Sequence, residues 1–241
     1  MKTYIWGVPS RIFHWLLAIS FPITFILGEQ DEFRNLHFAF GAFVGVLIFF
    51  RILYGFFGPK YSHFSDFPIG IKNQIEFTKT FFKNTKHYAG HNPLASLVML
   101  NIFLVGILCA VSGYLLYDSE SIAPVFGFDE EFLEEFHEIV AKIFMLSVVL
   151  HILGIIADSI FHSKTETLKS IFTGYKNIEA ENTEVGKLHK IFSVIWFIVP
   201  FIFFFLAYNL KIEKSEHEQE KTEKHEEHEE HENDHDHDDH D

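Results

Sequence analysis

Five apolar segments of membrane-spanning length limit what this chain can fold into. Each is close to the ~20 residues that an α-helix needs to cross a bilayer. The composition agrees, because 48% of the 241 residues are hydrophobic, 30 residues are Phe, and most of the hydrophobic residues lie within these segments. The sequence therefore predicts an all-α membrane protein. Its spans are expected at about residues 12–28, 36–57, 94–117, 137–161 and 188–209.

The fourth segment carries two histidines, His137 near its start and His151 further along. In an α-helix this separation is a rise of about 21 Å, and the two side chains lie about 40° apart around the helix axis. Both imidazoles therefore project from one face at two depths in the bilayer. This arrangement suits one side of a helical bundle that holds two stacked haems, each taking one axial histidine from this helix.

The loop charges predict how the chain crosses the membrane. The N-terminus, the loop 58–93 and the loop after the fourth segment carry Lys and Arg, whereas the loop 118–135 has acidic residues and neither Lys nor Arg. The positive-inside rule then places the N-terminus in the cytoplasm. With five spans, the C-terminal tail lies on the other side of the inner (cytoplasmic) membrane, in the periplasm.

Depth in the membrane pairs the histidines of different segments. His14 and His151 are expected near the cytoplasmic face, and His37 and His137 near the outer face. An imidazole inside a membrane is costly unless it is satisfied, so each is a functional candidate. The alternative for any one of them is a hydrogen bond across helices. Four histidines at two matching depths favour two metal-ligand pairs.

Three arginines lie close to these histidines in the sequence. Arg11 precedes His14, Arg34 precedes His37, and Arg51 follows His37 by the same spacing that separates the two histidines of the fourth segment. Haem propionates require cationic partners at the membrane boundary, which these arginines could supply. Contact with lipid headgroups is the alternative for each.

Within the loop 58–93, apolar residues recur at helical spacing from Ile71 to Phe82, with lysines between and after them. This pattern predicts a helix that lies in the inner headgroup region. His91 follows, in Gly90-His91-Asn92-Pro93. It is either an ordinary loop histidine or part of a quinone pocket.

The last 31 residues, 211–241, differ in composition from the rest. They contain four Lys, fifteen Asp or Glu and seven His, so this tail accounts for −11 of the net charge of −14. Such a segment cannot form a core and is expected to be disordered. Weak metal binding through its histidines and carboxylates and a merely solvating role both remain open. The single cysteine, Cys109, lies in an apolar segment and offers neither a disulfide nor covalent haem attachment.

Several ordered blocks of the sequence resemble a known family. The blocks are Val8 to Leu16, Leu36 to Gly41, Phe50 to Tyr61, Gly90 to Pro93 and His137 to Gly154, within a region of about 4–177. Together they resemble the bacterial cytochrome b561 family, which includes the b-type cytochrome subunit of nickel–iron hydrogenases. The resemblance implies a four-helix membrane domain with two b haems, whose axial ligands would be His14, His37, His137 and His151.

The domain organisation follows from this resemblance and its departures. Residues 1–177 are predicted to form the di-haem domain, residues 178–210 a linker and an additional fifth span, and 211–241 the tail. The short outer loop between Glu29 and Leu36 resembles stand-alone members of the family that work with c-type cytochromes.

The predicted function is a membrane b-type cytochrome that passes electrons between a periplasmic partner and the quinone pool. The partner would be a c-type cytochrome or a hydrogenase, and the chain would be an electron-transfer subunit rather than a self-contained enzyme. No nucleotide-binding glycine motif is present, and no nucleic-acid partner is expected. The alternatives are a metal-ion transporter or sensor that uses the histidine-rich tail, and a transmembrane metal or ascorbate reductase.

Overall fold

A computed structural model describes residues 1–83, 87–117, 127 and 129–210 of the chain. Five helices in these residues are long and apolar enough to cross a membrane, namely Val8–Gly28, Arg34–Phe57, Pro93–Tyr117, Glu130–Phe161 and Lys187–Leu210. The predicted all-α membrane fold is confirmed, while the predicted disordered tail lies outside the described residues. The elements in chain order are β1 (Lys2–Tyr4), α1 (Val8–Gly28), α2 (Arg34–Phe57), α3 (Ile71–Thr80), α4 (Pro93–Tyr117), α5 (Glu130–Phe161), α6 (Thr167–Thr173), β2 (Tyr175–Asn177) and α7 (Lys187–Leu210).

Two helices begin earlier than the apolar pattern indicates. Helix α1 begins at Val8, and Pro9 stands in its first turn, where a missing N–H group costs nothing. Helix α5 begins at Glu130, because the side chain of Asp129 accepts a hydrogen bond of 2.8 Å from the N–H of Phe132 and caps the helix. Polar first turns extend both helices beyond their apolar parts.

Small residues allow helices α2 and α4 to pack closely. A Cβ atom on Gly45 would lie 2.5 Å from the Cβ of Ala110, and one on Gly106 would lie 2.5 Å from Cδ1 of Ile48. Around this contact lies the buried core of the bundle, in which Phe144 of α5 also takes part. The α2–α4 interface therefore leaves no room for a side chain at position 45, and a side chain at position 106 would displace that of Ile48.

The additional helix α7 is anchored to the bundle through Trp196. This side chain is fully buried, and its indole N–H donates a hydrogen bond of 3.0 Å to the carbonyl of Leu47 in α2. Phe43 and Phe50 of α2 also contact aromatic rings of α7. The fifth span is therefore packed on α2 rather than separate from the bundle.

The polar segments on the α3 side of the bundle have more structure than the sequence pattern predicts. The helix expected between Ile71 and Phe82 is present as α3, and a 3-10 turn continues it to Lys83. Strands β1 and β2 pair antiparallel, with Thr3 opposite Lys176. This small sheet, which the sequence did not predict, holds the N-terminus against the segment that follows α6.

Candidate functional site

The structure brings His37 of α2 next to His137 of α5. Their ring centres are 6.1 Å apart and the ring planes are nearly perpendicular, at 87°. We call these two residues the outer pair. They are the same two residues that the depth argument matched from the sequence.

Both rings of the outer pair are oriented by hydrogen bonds at Nδ1. The Nδ1 atom of His37 lies 2.8 Å from the carbonyl of Thr24, which can only accept, so this nitrogen is the donor. The Nδ1 atom of His137 lies 2.9 Å from Oγ of Ser112. Because the Ser112 hydroxyl donates to the carbonyl of Cys109, its oxygen is the acceptor for His137. In each ring Nε2 is consequently the nitrogen without a proton.

Two glycines make room for the outer pair. A Cβ atom on Gly28 would lie 2.9 Å from Cε1 of His37, and one on Gly113 would lie 3.0 Å from Cε1 of His137. Real Cβ atoms rarely come so close to a neighbouring atom, and the close-packed interior leaves a ring little freedom to move aside. Each imidazole therefore lies close to a helix backbone, His37 at the end of α1 and His137 in the last turns of α4.

The other two histidines, His14 of α1 and His151 of α5, form the inner pair. Their ring centres are 6.4 Å apart, with an angle of 53° between the planes. His14 contacts Trp15 edge to face. Its Nδ1 is buried and has no hydrogen-bond partner in the part of the chain that the structure describes. The inner pair therefore matches the outer one in spacing but lacks its fixed ring orientation.

The inner pair lines a cavity of about 1150 Å³. Phe21, Phe144 and Val148 form its apolar wall beside the histidines. Its volume exceeds the range of about 300–1,000 Å³ that is typical of small-molecule pockets. The cavity is therefore large enough for a sizeable planar cofactor.

Arg51 is the arginine that reaches this cavity. Its side chain is only 3% exposed and lies against the rings of Phe13, Phe64 and Phe103, with Cζ 5.2 Å from the centre of the last. Nη2 donates to the carbonyl of Ser62 over 3.3 Å. Nη1 is buried without a partner among the described residues. A buried guanidinium with an unused donor is costly unless an anion or acceptor meets it.

The other two arginines have different surroundings. Arg11 donates from Nη1 to the carbonyl of Phe172 over 2.7 Å and lines a separate cavity of about 330 Å³. Arg34 is exposed in the first turn of α2, one turn before His37. Arg51 therefore lies in the cavity of the inner pair and Arg34 near the outer pair, whereas Arg11 is not among the residues that line the large cavity.

Sequence reasoning missed the residues that orient the histidines. Thr24 and Ser112 act through a carbonyl and a hydroxyl that have no distinctive sequence signal. The sequence analysis assigns no role beside a histidine to Gly28 or Gly113. A glycine within an apolar helix indicates a close contact at that position. The sequence does not show which ring fills it, because His37 and His137 belong to other helices than Gly28 and Gly113.

Among the described residues, no group of three or more His, Cys, Asp or Glu lies together as a candidate site for a metal ion. The four histidines are grouped two by two, which is the ligand number of a six-coordinate haem.

The relatives found by comparison with known proteins are all described as probable B-type cytochrome subunits of Ni/Fe-hydrogenases. The chain is 25% identical to the probable Ni/Fe-hydrogenase 1 B-type cytochrome subunit of Escherichia coli in an alignment of 150 residues that covers 52% of this chain and 64% of that protein. It is 23% identical to the probable Ni/Fe-hydrogenase B-type cytochrome subunit of Rhodobacter capsulatus over 223 residues, 76% of this chain and 84% of the relative. The chain is 30% identical to the protein of the same description from Bradyrhizobium diazoefficiens in an alignment of 141 residues. This alignment covers 47% of this chain and 57% of the relative.

No solved structure matches the chain. The family model described as prokaryotic cytochrome b561 matches residues 5–174, a region that includes all four paired histidines. This match covers more than half of the chain, so the chain belongs to the prokaryotic cytochrome b561 family.

Proposed function

We propose that the chain is a membrane electron carrier that holds two b haems, one between the histidines of each pair. The observation that carries the proposal is the spacing of the imidazoles. A metal–nitrogen bond to imidazole is about 2.0–2.1 Å long, and the bonded nitrogen lies about 1 Å from the ring centre, so two imidazoles on opposite sides of one iron have ring centres about 6 Å apart. The two pairs have 6.1 Å and 6.4 Å.

The hydrogen bonds of the outer pair support the same role. A histidine binds iron through a nitrogen without a proton, and a hydrogen bond at the other nitrogen fixes which one that is. The carbonyl of Thr24 and the hydroxyl of Ser112 hold the protons of His37 and His137 on Nδ1. Nε2 of both rings is then available as a ligand.

Arg51 supplies a charge beside the inner pair. The propionate groups of a haem are anionic, and a guanidinium binds carboxylates through paired hydrogen bonds. Nη1 of Arg51 is buried without a partner among the described residues, in the cavity that His14 and His151 line. We therefore assign Arg51 to an inner propionate and Arg34 to the outer site.

The proposed activity is electron transfer across the inner membrane between a periplasmic redox partner and the quinone pool. When bound, the haems supply iron that accepts and releases one electron at a time. The protein contributes ligands at two depths along one helix. The partner is a hydrogenase, as the names of the relatives indicate, or a c-type cytochrome. The N-terminus is cytoplasmic and the tail is periplasmic, because the basic segments follow the positive-inside rule.

The test is haem content. The full chain, purified from membranes in mild detergent, should give a b-type reduced-minus-oxidised spectrum and two haems per chain in the pyridine haemochrome assay. His37→Ala and His151→Ala should each retain about one haem, and the double variant none. Asn101→Ala, which removes a polar contact between α4 and Ser147 of α5, is the control and should retain two. A colourless protein, or variants that keep both haems, would overturn the proposal.

A further inference from the structure

Helix α4 presents one regular row of residues on the outside of the bundle. Five residues follow each other at alternating spacings of four and three, over a rise of about 21 Å. They are Leu97, Asn101, Leu104, Leu108 and Val111. We call this row the α4 stripe.

The α4 stripe points away from the other helices. Its four apolar residues are between 38% and 61% exposed, and Asn101 is exposed as well. On other sides of the same helix, Gly106 lies against Ile48 of α2. Gly113 lies against His137 of α5. None of the five stripe residues is among those that line the large cavity, so the stripe faces the bilayer and not the histidine pairs.

The spacing of the stripe is that of a heptad repeat. Alternation of four and three residues places Asn101 at an a position, between Leu97 and Leu104 at d positions. Two helices with this pattern pack along each other at a small left-handed crossing angle, in membranes as in water. Apolar side chains alone do not require such a partner, because lipid tails are equally apolar. The argument for a partner therefore depends on Asn101.

Asn101 lies within the span and is only partly satisfied. It follows the start of α4 at Pro93 by a rise of about 12 Å. Its Nδ2 donates a hydrogen bond of 2.6 Å to Oγ of Ser147, whose hydroxyl donates to the carbonyl of Ile143. A side-chain amide has a second N–H and an acceptor oxygen, and neither has a partner among the described residues. Lipid tails offer no hydrogen bond, so these groups are costly in a single copy of the chain.

A second copy of the chain supplies the missing groups. An amide is complementary to itself, because the N–H of one can donate to the oxygen of another and accept in return. All copies cross the membrane in the same orientation, so two α4 stripes can meet about a two-fold axis along the membrane normal. Each residue then lies opposite the same residue of the other copy. A single Asn at an a position fixes register and the number of helices in this way.

We propose that the chain forms a parallel homodimer through the α4 stripe, in which the two Asn101 amides are hydrogen-bonded to each other at the two-fold axis. A helix of another protein would need a polar residue at the same depth, whereas a second copy has one by symmetry. The interface leaves both histidine pairs inside each copy. The inference is therefore independent of the haems proposed above.

The first test is cysteine cross-linking of the full chain in its native membrane. Cys109, the single cysteine, is replaced by Ala, and Leu104→Cys or Leu108→Cys then places a thiol on the stripe. Oxidation with copper phenanthroline should join two copies through either cysteine, because equal a and d positions face each other in a parallel dimer. Ile19→Cys is the control, since Ile19 of α1 is 59% exposed and Leu104 is 61% exposed. It should stay monomeric.

The second test measures the stability of the dimer. Sedimentation equilibrium of the purified chain in detergent gives the Kd of dimerisation. Asn101→Leu keeps the approximate size of the side chain and removes its hydrogen bonds, so the Kd should rise about tenfold, as expected for a hydrogen bond between membrane helices. Ser147→Ala removes only the contact of Asn101 within one chain. This matched control should not raise the Kd.

Four outcomes would overturn the inference. One is a wild-type chain that stays monomeric and is not cross-linked through the stripe. Another is cross-linking at position 19 as efficient as at position 104. A cross-linked product whose mass is not twice that of the chain would show that a different protein covers the stripe. Equal Kd values for Asn101→Leu and the wild type would show that the dimer does not depend on Asn101. Neither test requires bound haem, so these outcomes are distinct from failure of the proposed function.

Discussion

The outer and inner histidine pairs have nearly the same spacing and very different surroundings. In the outer pair both rings are fixed by hydrogen bonds at Nδ1 and each lies against a glycine. In the inner pair Nδ1 of His14 has no partner among the described residues, and the rings line a large cavity with a buried arginine. In the outer site close packing holds the two rings in place, whereas the inner site is an open cavity with a buried positive charge. Substitutions should therefore affect the two proposed haems in different ways.

The largest difference is expected from added volume beside the outer pair. In Gly113→Val the new side chain overlaps the ring of His137, since even a Cβ atom would lie 3.0 Å from Cε1. We expect loss of the outer haem and retention of the inner one, so the pyridine haemochrome assay should give about one haem per chain. Gly154→Val is the matched change near the inner pair, where nothing lies within 4 Å of an added Cβ, and it should keep the outer haem. Two haems in Gly113→Val would show that the outer ring can move aside.

A smaller difference is expected from removing charge beside the inner pair. Arg51→Met keeps much of the side-chain volume and removes a buried positive charge. Removal of this charge favours the oxidised form of a nearby haem. The inner potential should fall by about 59 mV or more, equivalent to a tenfold change in a one-electron equilibrium. Potentiometric titration should resolve it from an unchanged outer potential. Arg51→Lys keeps the charge and serves as the control, and equal shifts of both haems would contradict the assignment.

The smallest effect is expected from a single hydrogen bond of the outer pair. Ser112→Ala removes the acceptor for His137 Nδ1–H. Loss of such an outer partner typically weakens binding of the metal by about 10–100-fold, and we expect a value near the low end because Thr24 still orients His37. Competition of bound haem with apomyoglobin measures this change. Ser147→Ala, at another buried serine of the α4–α5 contact, should leave both haems in place.

Much of the histidine arrangement could be predicted from the sequence because it depends on helix geometry alone. Residues 14 apart on one helix share a face wherever the helix is placed. The positive-inside rule predicts the orientation of each span, and the position of a residue along its span then predicts its depth. Those two regularities were enough to match His37 with His137 and His14 with His151. The ligand roles and the number of haems stay predictions until haem content is measured.

The surroundings of each pair could not be predicted, because they depend on which residues of other helices come close. Ser112 and Thr24 are ordinary polar residues of apolar helices until α4 and α1 place them beside a ring. Lys176 looked like one of several cytoplasmic surface lysines, and pairing of β1 with β2 buries it instead. A long-range contact of this kind does not produce a periodic pattern in the sequence.

The sequence by itself determined the spans, the family and the four histidines, since hydrophobic length, helical spacing and ordered motifs are local properties of the chain. Only the tertiary structure decided which ring is hydrogen-bonded, which arginine reaches the cavity and how far that cavity extends. These properties arise where α1, α2, α4 and α5 meet the small sheet, and packing between distant segments sets them.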